Sequence, residues 1–275
     1  MIEIPEAFVL AEQINRTLVG KRIAGAEAGH APHSFAWYTG DPSTYNERLE
    51  GRQISGAEVF SGNVRIFAGD MTLLISTPIR YHGPGAKLPE KHQLLVRFED
   101  ESALTCTVQM WGGMFCYKTG DESAGVPVQC YLNPSPTPLD DAFDRAYFNG
   151  LLTGVDPEKL SAKAFLATDQ RIPGFGNGVL QDVLWTARIH PKRKMATLSA
   201  EELTAMFDAV KSVVADMAER GGRDTEKDLF GKPGGYHTVL SKNTAGQPCP
   251  ECGSDIGKES YLGGAIYYCP GCQKL

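Results

Sequence analysis

The sequence predicts an α+β protein: a β-sandwich with a helix in the N-terminal part, then helices and a terminal hairpin that carries cysteines. Short runs rich in β-branched and aromatic residues, separated by Gly, Asp and Pro, fill residues 21–117. Beyond residue 140 the apolar residues recur at helical spacing. Two Cys-x-x-Cys pairs lie near the end of the 275-residue chain, which is long enough for two domains.

The individual elements follow from local patterns. Residues 5–18 predict an amphipathic helix, because Ala11, Ile14 and Leu18 recur at helical spacing behind a proline in the first turn. Ser199 with Glu202 three residues later is a capping box, and an apolar stripe follows it. The strand-like runs are residues 57–60, 64–67, 73–76, 94–98, 104–108 and 114–117.

Residues 119–139 are rich in Pro, Gly, Ser and Asp and have little capacity to pack, so they predict a linker. We therefore expect a sandwich domain at 1–118, a helical domain at 140–235 and a cysteine finger at 236–275.

The four terminal cysteines, Cys249, Cys252, Cys269 and Cys272, have the spacing of a structural zinc site. Sixteen residues separate the two pairs, within the range in which two tight turns converge on one tetrahedral ion. Residues 265–268 predict one strand of the hairpin between them. The other three cysteines, Cys106, Cys116 and Cys130, are interpreted as small buried hydrophobes.

The net charge, its distribution along the sequence and the lack of a recognisable secretory signal restrict the functions and the location that the sequence predicts. The net charge of −6 argues against a uniformly basic nucleic-acid binder. Residues 171–194, however, hold five basic residues and one acidic residue, around a glycine-rich turn (GFGNG, 174–178) that begins a helix. Backbone N–H groups at such a turn favour an anion such as phosphate, although a tight helix-helix turn is an equally good interpretation.

An odd cysteine count, no secretory signal and no apolar span indicate the cytoplasm, or the nucleoid of a bacterium.

Taken together, the order of motifs resembles one known family. It consists of MIEIPE (1–6), a β-rich domain, the GN pair 176–177, IHP (189–191), GKPG (231–234) and CPGCQK (269–274). This order resembles the Fpg/Nei family, the formamidopyrimidine-DNA glycosylases and endonuclease VIII proteins.

The resemblance implies a β-sandwich, a helical domain with a helix-two-turns-helix motif, and a Cys₄ zinc finger that holds one structural Zn²⁺. It also implies a monomer that binds double-stranded DNA containing a damaged base or an abasic site. Family enzymes flip the base out of the duplex and attack the sugar C1′ with an N-terminal amine.

At the catalytic positions, Glu3 matches the family's proton-transferring glutamate. Ile2 stands where the family has its nucleophilic proline, so the sequence predicts a divergent subgroup. The α-amine of Met1 is a candidate substitute, because such amines are partly neutral near pH 7.

Among the DNA-contact positions, Asn177 matches the phosphate-binding asparagine. Asn63 aligns with the family's hairpin lysine, and Gly264 with its finger arginine. We also count Gly176, Arg171 and Lys163 as DNA-contact candidates. Met110 and Trp111 lie where the family has a loop that fills the gap left by the flipped base.

The resemblance and the substitutions together favour a glycosylase that uses Glu3 as acid or base and has weak or absent lyase activity. A catalytically silent protein that binds damaged DNA is the alternative. A zinc module unrelated to DNA is a third interpretation.

Overall fold

A computed structural model describes residues 2–121 and 135–275 of the chain. The described residues form two compact units. Unit one contains Ile2, residues 6–121 and Glu226–Pro233, and unit two contains Glu3–Pro5, Ser135–Thr225 and Gly234–Leu275. The boundary thus falls within the first helix, α1 (Ile4–Leu18).

Unit one is built from two β-sheets. Its elements besides α1 are β1 (Ile23–Ala28), β2 (Ala36–Tyr38), α2 (Tyr45–Leu49), β3 (Ile54–Phe60), β4 (Asn63–Ala68), β5 (Met71–Ile75), β6 (Ile79–His82), β7 (Leu94–Phe98), β8 (Ala103–Cys106) and β9 (Gly112–Lys118). One sheet has the order β1-β7-β8-β6 and the other β2-β9-β5-β4-β3. The β2–β9 pair is parallel, and the other pairs of these two sheets are antiparallel.

A single apolar core joins these sheets to α1, which buries Leu10, Ile14 and Leu18. Cys106 and Cys116 lie in the same core. Burial raises the pKa of Cys106 to about 12 and that of Cys116 to about 11, so both thiols stay protonated at neutral pH. This agrees with their interpretation as small hydrophobes, whereas Cys130 lies outside the described residues.

Unit two is helical and ends in a hairpin. It contains α3 (Arg145–Gly150), a π-helical turn at Ala164–Thr168, α4 (Asn177–Thr186), α5 (Ala200–Glu219), β10 (Gly257–Tyr261) and β11 (Gly264–Tyr268). The predicted capping box is present at the start of α5: Ser199 Oγ accepts from the Glu202 N–H, and the Glu202 carboxylate accepts from the Ser199 N–H. Strands β10 and β11 pair antiparallel, which confirms the hairpin.

The α+β fold is therefore as predicted, while the strands β1, β2 and β6 were not recognised in the sequence. Residues 226–233, which the sequence assigned to the helical domain, group with unit one. The Tyr81 N–H donates to the Leu229 carbonyl (2.8 Å), and Leu229 is buried in the core of unit one. Most of the predicted linker lies outside the described residues. Within the described ranges, the helices all fall short of the length and apolarity that a bilayer crossing needs.

Candidate functional site

Glu3 caps helix α4 although 173 residues separate it from the start of that helix. Its Oε1 accepts from the Gly178 N–H (3.0 Å) and its Oε2 from the Val179 N–H (2.8 Å). These are two of the N–H groups that a helix leaves without an intrahelical acceptor. The N-cap residue, Gly176, has no side chain that could accept them. The Glu3 carboxylate therefore takes the place of an N-cap side chain.

Arg223 completes the surroundings of this carboxylate. Its Nη1 lies 3.4 Å from Glu3 Oε2, and its side chain is 3% exposed, against 13% for Glu3. Arg223 follows the two glycines that end α5, and its backbone bridges to Tyr236. A guanidinium and a helix N-terminus both stabilise an anion. The carboxylate is thus fixed by three donors and remains partly open to solvent.

Two glycines make this arrangement sterically possible. A Cβ at Gly176 would lie 2.3 Å from Glu3 Cδ, and a Cβ at Gly178 would lie 1.6 Å from Arg223 Nη1. Neither distance is compatible with a side chain. The GFGNG turn therefore contains glycine because the carboxylate and the guanidinium pack directly against its backbone.

Ile2 is an integral part of unit one. Its side chain is 6% exposed and lies in the apolar core, and its N–H donates to the Ser76 carbonyl (3.0 Å). The nitrogen is a peptide amide whose lone pair is delocalised, so it is not a nucleophile. Met1, the candidate amine, lies outside the described residues.

Asn177 connects α4 to the terminal hairpin. Its Nδ2 donates to the Ala265 carbonyl (2.7 Å), and Gln181, one turn later, accepts from the Tyr267 N–H (3.0 Å). Within residues 2–121 and 135–275, Asn177 Oδ1 has no hydrogen-bond donor although it is buried. The Asn177 amide is thus anchored at one end.

Lys163 lies beside the hairpin tip. It is 3% exposed, and its Nζ donates to the Tyr261 carbonyl (2.5 Å). A Cβ at Gly264, the position aligned with the family arginine, would lie 3.4 Å from this Nζ and 3.7 Å from Asn177 Cγ. Burial lowers the pKa of Lys163 below its ordinary value. An ammonium therefore occupies the neighbourhood of the missing arginine.

The basic residues of 171–194 are largely paired with carboxylates, mostly from distant parts of unit two. The Arg171 guanidinium contacts Asp169 (2.6 Å) and the Ala164 carbonyl (3.4 Å). The other pairs are Arg188 with Glu251, Lys192 with Glu259, and Arg193 with Glu202. The charge excess seen in the sequence is thus offset locally, because its partners lie outside the 171–194 segment.

The remaining DNA-contact candidates belong to unit one. The Asn63 amide is buried and donates to the carbonyls of Phe60 (3.3 Å) and Ser61 (3.0 Å), so it stabilises its own β3–β4 turn. Trp111 is half-buried and packs 5.7 Å from the Trp37 ring. Met110, by contrast, is 70% exposed.

The terminal cysteines converge as expected. The four sulfur atoms lie within 4.8 Å of one another, with 3.8 Å between Cys249 and Cys272 and 3.3 Å between Cys252 and Cys269. Hydrogen bonds from Ser254 lower the pKa of Cys252 to about 6, whereas burial raises the pKa of Cys272, so it is the geometry of the four sulfurs that indicates a metal site. This cluster can hold a metal ion.

The structure therefore places Glu3, Gly176, Asn177 and Lys163 at or near the start of α4, with all four in unit two. Arg223 belongs to the same site, and the sequence analysis missed it. The available signal was a basic residue directly after a double-glycine helix end, but that pattern alone does not indicate a contact with residue 3.

Comparison with known proteins finds a matching family and relatives that align along the whole chain. Residues 135–228 match the family described as the formamidopyrimidine-DNA glycosylase H2TH domain. The formamidopyrimidine-DNA glycosylases of Lactobacillus delbrueckii subsp. bulgaricus (27% identical, 100% of both chains) and Acidothermus cellulolyticus (28%, 100% of this chain and 98% of the relative) align along the whole sequence.

Solved structures show the same fold. The MutM (Fpg) protein of Thermus thermophilus superposes with a TM-score of 0.80, at 23% identity over 98% of both chains. Lactococcus lactis Fpg in complex with DNA containing an abasic site superposes with a TM-score of 0.81, at 21% identity over 99% of this chain and 100% of that one. With the match over residues 135–228, these likenesses show that the chain is similar along its whole length to formamidopyrimidine-DNA glycosylases and has the fold of the solved Fpg structures.

Proposed function

We propose that this protein is a DNA-repair glycosylase that removes a damaged base, and that Glu3 activates water for the reaction without an efficient lyase step. The observation that carries the proposal is the Glu3 carboxylate, which two helix N–H groups and Arg223 hold in one orientation. A carboxylate oxygen that accepts one N–H still has a lone pair for water.

In this reaction the bond between the sugar C1′ and the base nitrogen breaks, and a water oxygen bonds to C1′. Glu3 takes a proton from that water and gives it to the departing base nitrogen, which returns Glu3 to its carboxylate form. The fixed negative charge of Glu3 also stabilises the positive charge that develops on the sugar. The carboxylate needs no reorientation, because its donors already set its position.

The absence of an efficient lyase step is supported by Ile2. A Schiff base requires a free amine, whereas the Ile2 nitrogen is an amide that donates to Ser76. The relatives named formamidopyrimidine-DNA glycosylases support the glycosylase assignment. The L. lactis structure, in which Fpg is bound to DNA with an abasic site, supports damaged double-stranded DNA as the partner.

For DNA contact we propose Lys163 and Asn177, with the Gly176 backbone, as the phosphate-binding group. Lys163 would supply the cation that Gly264 cannot, since its ammonium lies 3.4 Å from where the Cβ of a side chain at residue 264 would be. Met110 is the better candidate for filling the gap in the base stack, because it is exposed whereas Trp111 packs on Trp37. Arg171 is the weaker candidate for a phosphate contact because Asp169 offsets its charge, and Asn63 is weaker because its amide donates to its own turn.

We assign Zn²⁺ to the four cysteines. Zn–S bonds of about 2.3 Å place the sulfurs of a tetrahedral site about 3.8 Å apart. The observed separations of 3.8 and 3.3 Å fit that geometry. Four thiolates fill the coordination shell, so the ion would stabilise the hairpin that Asn177 and Gln181 contact.

The test is base release from a panel of duplexes, each with one oxidised base, by the wild-type protein and by Glu3→Gln. We expect Glu3→Gln to lower the rate by a factor of about 100 or more while DNA affinity is retained. Glu12→Gln, an exposed carboxylate on the same helix, is the control and should leave the rate unchanged. Borohydride should trap little covalent adduct, and a robust adduct would contradict the hydrolytic mechanism.

A catalytically silent damage-binding protein is the alternative, and the substitutions at Ile2, Asn63 and Gly264 favour it. It predicts tight binding to damaged duplex with no base release anywhere in the panel. Under the proposed function, at least one lesion is released and the release depends on Glu3.

A further inference from the structure

A cluster of two histidines and a glutamate lies at one edge of unit one, outside every site described so far. Glu27 belongs to β1, His30 follows that strand, and His92 precedes β7. The ligand atoms of the three side chains lie within 4.8 Å of one another. His30 Nδ1 is 2.9 Å from Glu27 Oε1, and His92 Nε2 is 3.5 Å from Glu27 Oε2.

The backbone fixes the relative positions of the three residues. The Ala31 N–H donates to the His92 carbonyl (3.0 Å), and the Gly29 N–H donates to the Gln93 carbonyl (2.8 Å). These bonds continue the β1–β7 ladder past the ends of both strands. The backbone that carries the three side chains is therefore fixed before a ligand binds, although the side chains can still adjust.

The two ring nitrogens of His92 give the main argument about what this cluster binds. Its Nδ1 lies 3.2 Å from the Pro89 carbonyl, which can only accept, so Nδ1 carries the proton. In the neutral ring Nε2 then presents a bare lone pair. Among the described residues, no atom makes a hydrogen bond to Nε2, and the side chain is 7% exposed. This lone pair of a buried ring lies 3.5 Å from the Glu27 carboxylate, so two acceptors face each other.

Two facing acceptors repel each other unless a cation lies between them, and the donor set indicates which cation. Imidazole nitrogens with one carboxylate suit the first-row transition ions and zinc, whereas Mg²⁺ and Ca²⁺ prefer an all-oxygen shell. A backbone carbonyl that accepts from the far ring nitrogen is also the usual support of a metal-bound histidine. We propose that Glu27, His30 and His92 bind a divalent transition ion such as Zn²⁺, in a site separate from the cysteine cluster.

Because one side of the cluster faces solvent, water would complete the coordination shell of the ion. The Glu27 and His30 side chains are 44% and 45% exposed, so an ion reaches them from solution. The two imidazole rings are stacked, with centroids 4.5 Å apart and planes 8° from parallel. Because the lone pairs lie in the ring planes, both cannot meet one ion in that arrangement. His30 is 45% exposed, so it has room to leave its contacts with Glu27 and His92 and to tilt out of the stack when the ion binds.

The experiment is a calorimetric titration of the full-length protein with Zn²⁺, starting from protein that already holds one equivalent. We expect a second equivalent to bind to the wild type. His30→Ala and Glu27→Gln should weaken that second equivalent by about 10-fold or more. Both residues are at the surface, so folding is expected to survive. His33→Ala, a histidine three residues along the same segment and outside the cluster, is the matched control and should bind as the wild type does.

A second measurement addresses the competing occupant, a proton shared by His92 and Glu27. In ¹⁵N spectra of the histidine rings, Zn²⁺ should shift His92 Nε2 and leave His33 unaffected. The proposal is overturned if the wild type stops at one equivalent, or if His33→Ala weakens the second equivalent as much as His30→Ala does. It is also overturned if His92 Nε2 stays protonated at saturating Zn²⁺.

Discussion

Arg223 and Glu3 form a largely buried ion pair, with Nη1 3.4 Å from Oε2, although 219 residues separate them along the chain. The guanidinium packs directly on Gly178, whose N–H donates to the same carboxylate. Arg223 therefore acts on the proposed reaction through Glu3, as a positioning residue.

Arg223→Met should lower the rate of base release by about 100-fold and change DNA affinity little, because a carboxylate misplaced by about 1 Å loses that much. Removing one partner of a buried pair should also destabilise the fold by about 3 kcal/mol. Single-turnover kinetics and DNA titrations separate rate from affinity. Arg223→Lys should recover part of the rate. Arg220→Met, at an exposed arginine three residues away, is the control, and an equal loss there would contradict a specific role for Arg223.

Gly178→Ala tests the same site from the helix side. The added Cβ would lie 1.6 Å from Arg223 Nη1, so the guanidinium must move and Glu3 loses a partner. We expect base release to fall about 10-fold or more. At Gly150, at the end of α3, a Cβ would meet no described atom within 4 Å, and Gly150→Ala should be silent. Similar rates for the two variants would argue against the close packing at Gly178.

Loss of the metal should disorder the hairpin and break its hydrogen bonds with Asn177 and Gln181 of α4. Cys269→Ser removes one of four thiolates, and we expect the protein to lose its tightly bound zinc and its affinity for damaged duplex. Metal content by mass spectrometry and DNA binding by fluorescence anisotropy measure the two effects. Cys106→Ala, at a buried cysteine of unit one, should keep the full zinc content. Unchanged zinc content in Cys269→Ser would refute the four-cysteine site.

Asp182 makes stability depend on pH. Burial raises its pKa to about 6, although its carboxylate accepts from the N–H groups of Val239 and Leu240. A carboxyl whose pKa is higher in the folded state binds its proton more tightly there than when unfolded. Its stabilising contribution is complete below its ordinary pKa and is lost as the pH rises through 6. Chemical denaturation between pH 4 and 7 should show this loss, and Asp182→Asn should remove it. Asp141→Asn, at an exposed carboxylate, should keep the wild-type profile.

Helix α5 offers a prediction on stability alone. Ser199→Ala removes the acceptor for the Glu202 N–H and should cost about 1 kcal/mol. For a domain of this size the melting temperature should fall by about 2–4 °C. Ser212→Ala, at an exposed serine in the middle of the same helix, removes no cap. A melting temperature lowered equally by both changes would mean that the capping box contributes nothing.

The features that the sequence predicted well depend on neighbours close along the chain. The cysteine spacing, the Ser199 capping box and the alternating runs of the sandwich each need only a few consecutive residues. Short strands with weak patterns, such as β2, were missed because their pairing with β9 stabilises them and their own composition does not indicate a strand.

Charge was harder to interpret. The basic excess between residues 171 and 194 indicated a phosphate-binding surface. The fold brings Glu251 to Arg188 and Glu259 to Lys192, so most of that excess is paired within the protein. Lys163, a single lysine without a pattern around it, lies instead beside Asn177 and the hairpin tip. Net charge along a segment does not say which cations remain available.

The sequence by itself predicted the likeness to the Fpg/Nei family, the fold class and the cysteine cluster, and it singled out Glu3 as a candidate, because each depends on residue identity at fixed spacing. Only the tertiary structure decided what surrounds that glutamate. The Glu3–Arg223 pair, the hydrogen bond from Lys163 to the Tyr261 carbonyl, and the approach of Glu27 to His92 join residues that are far apart in the chain. Such contacts depend on how buried elements pack, and local patterns along the chain do not specify that packing.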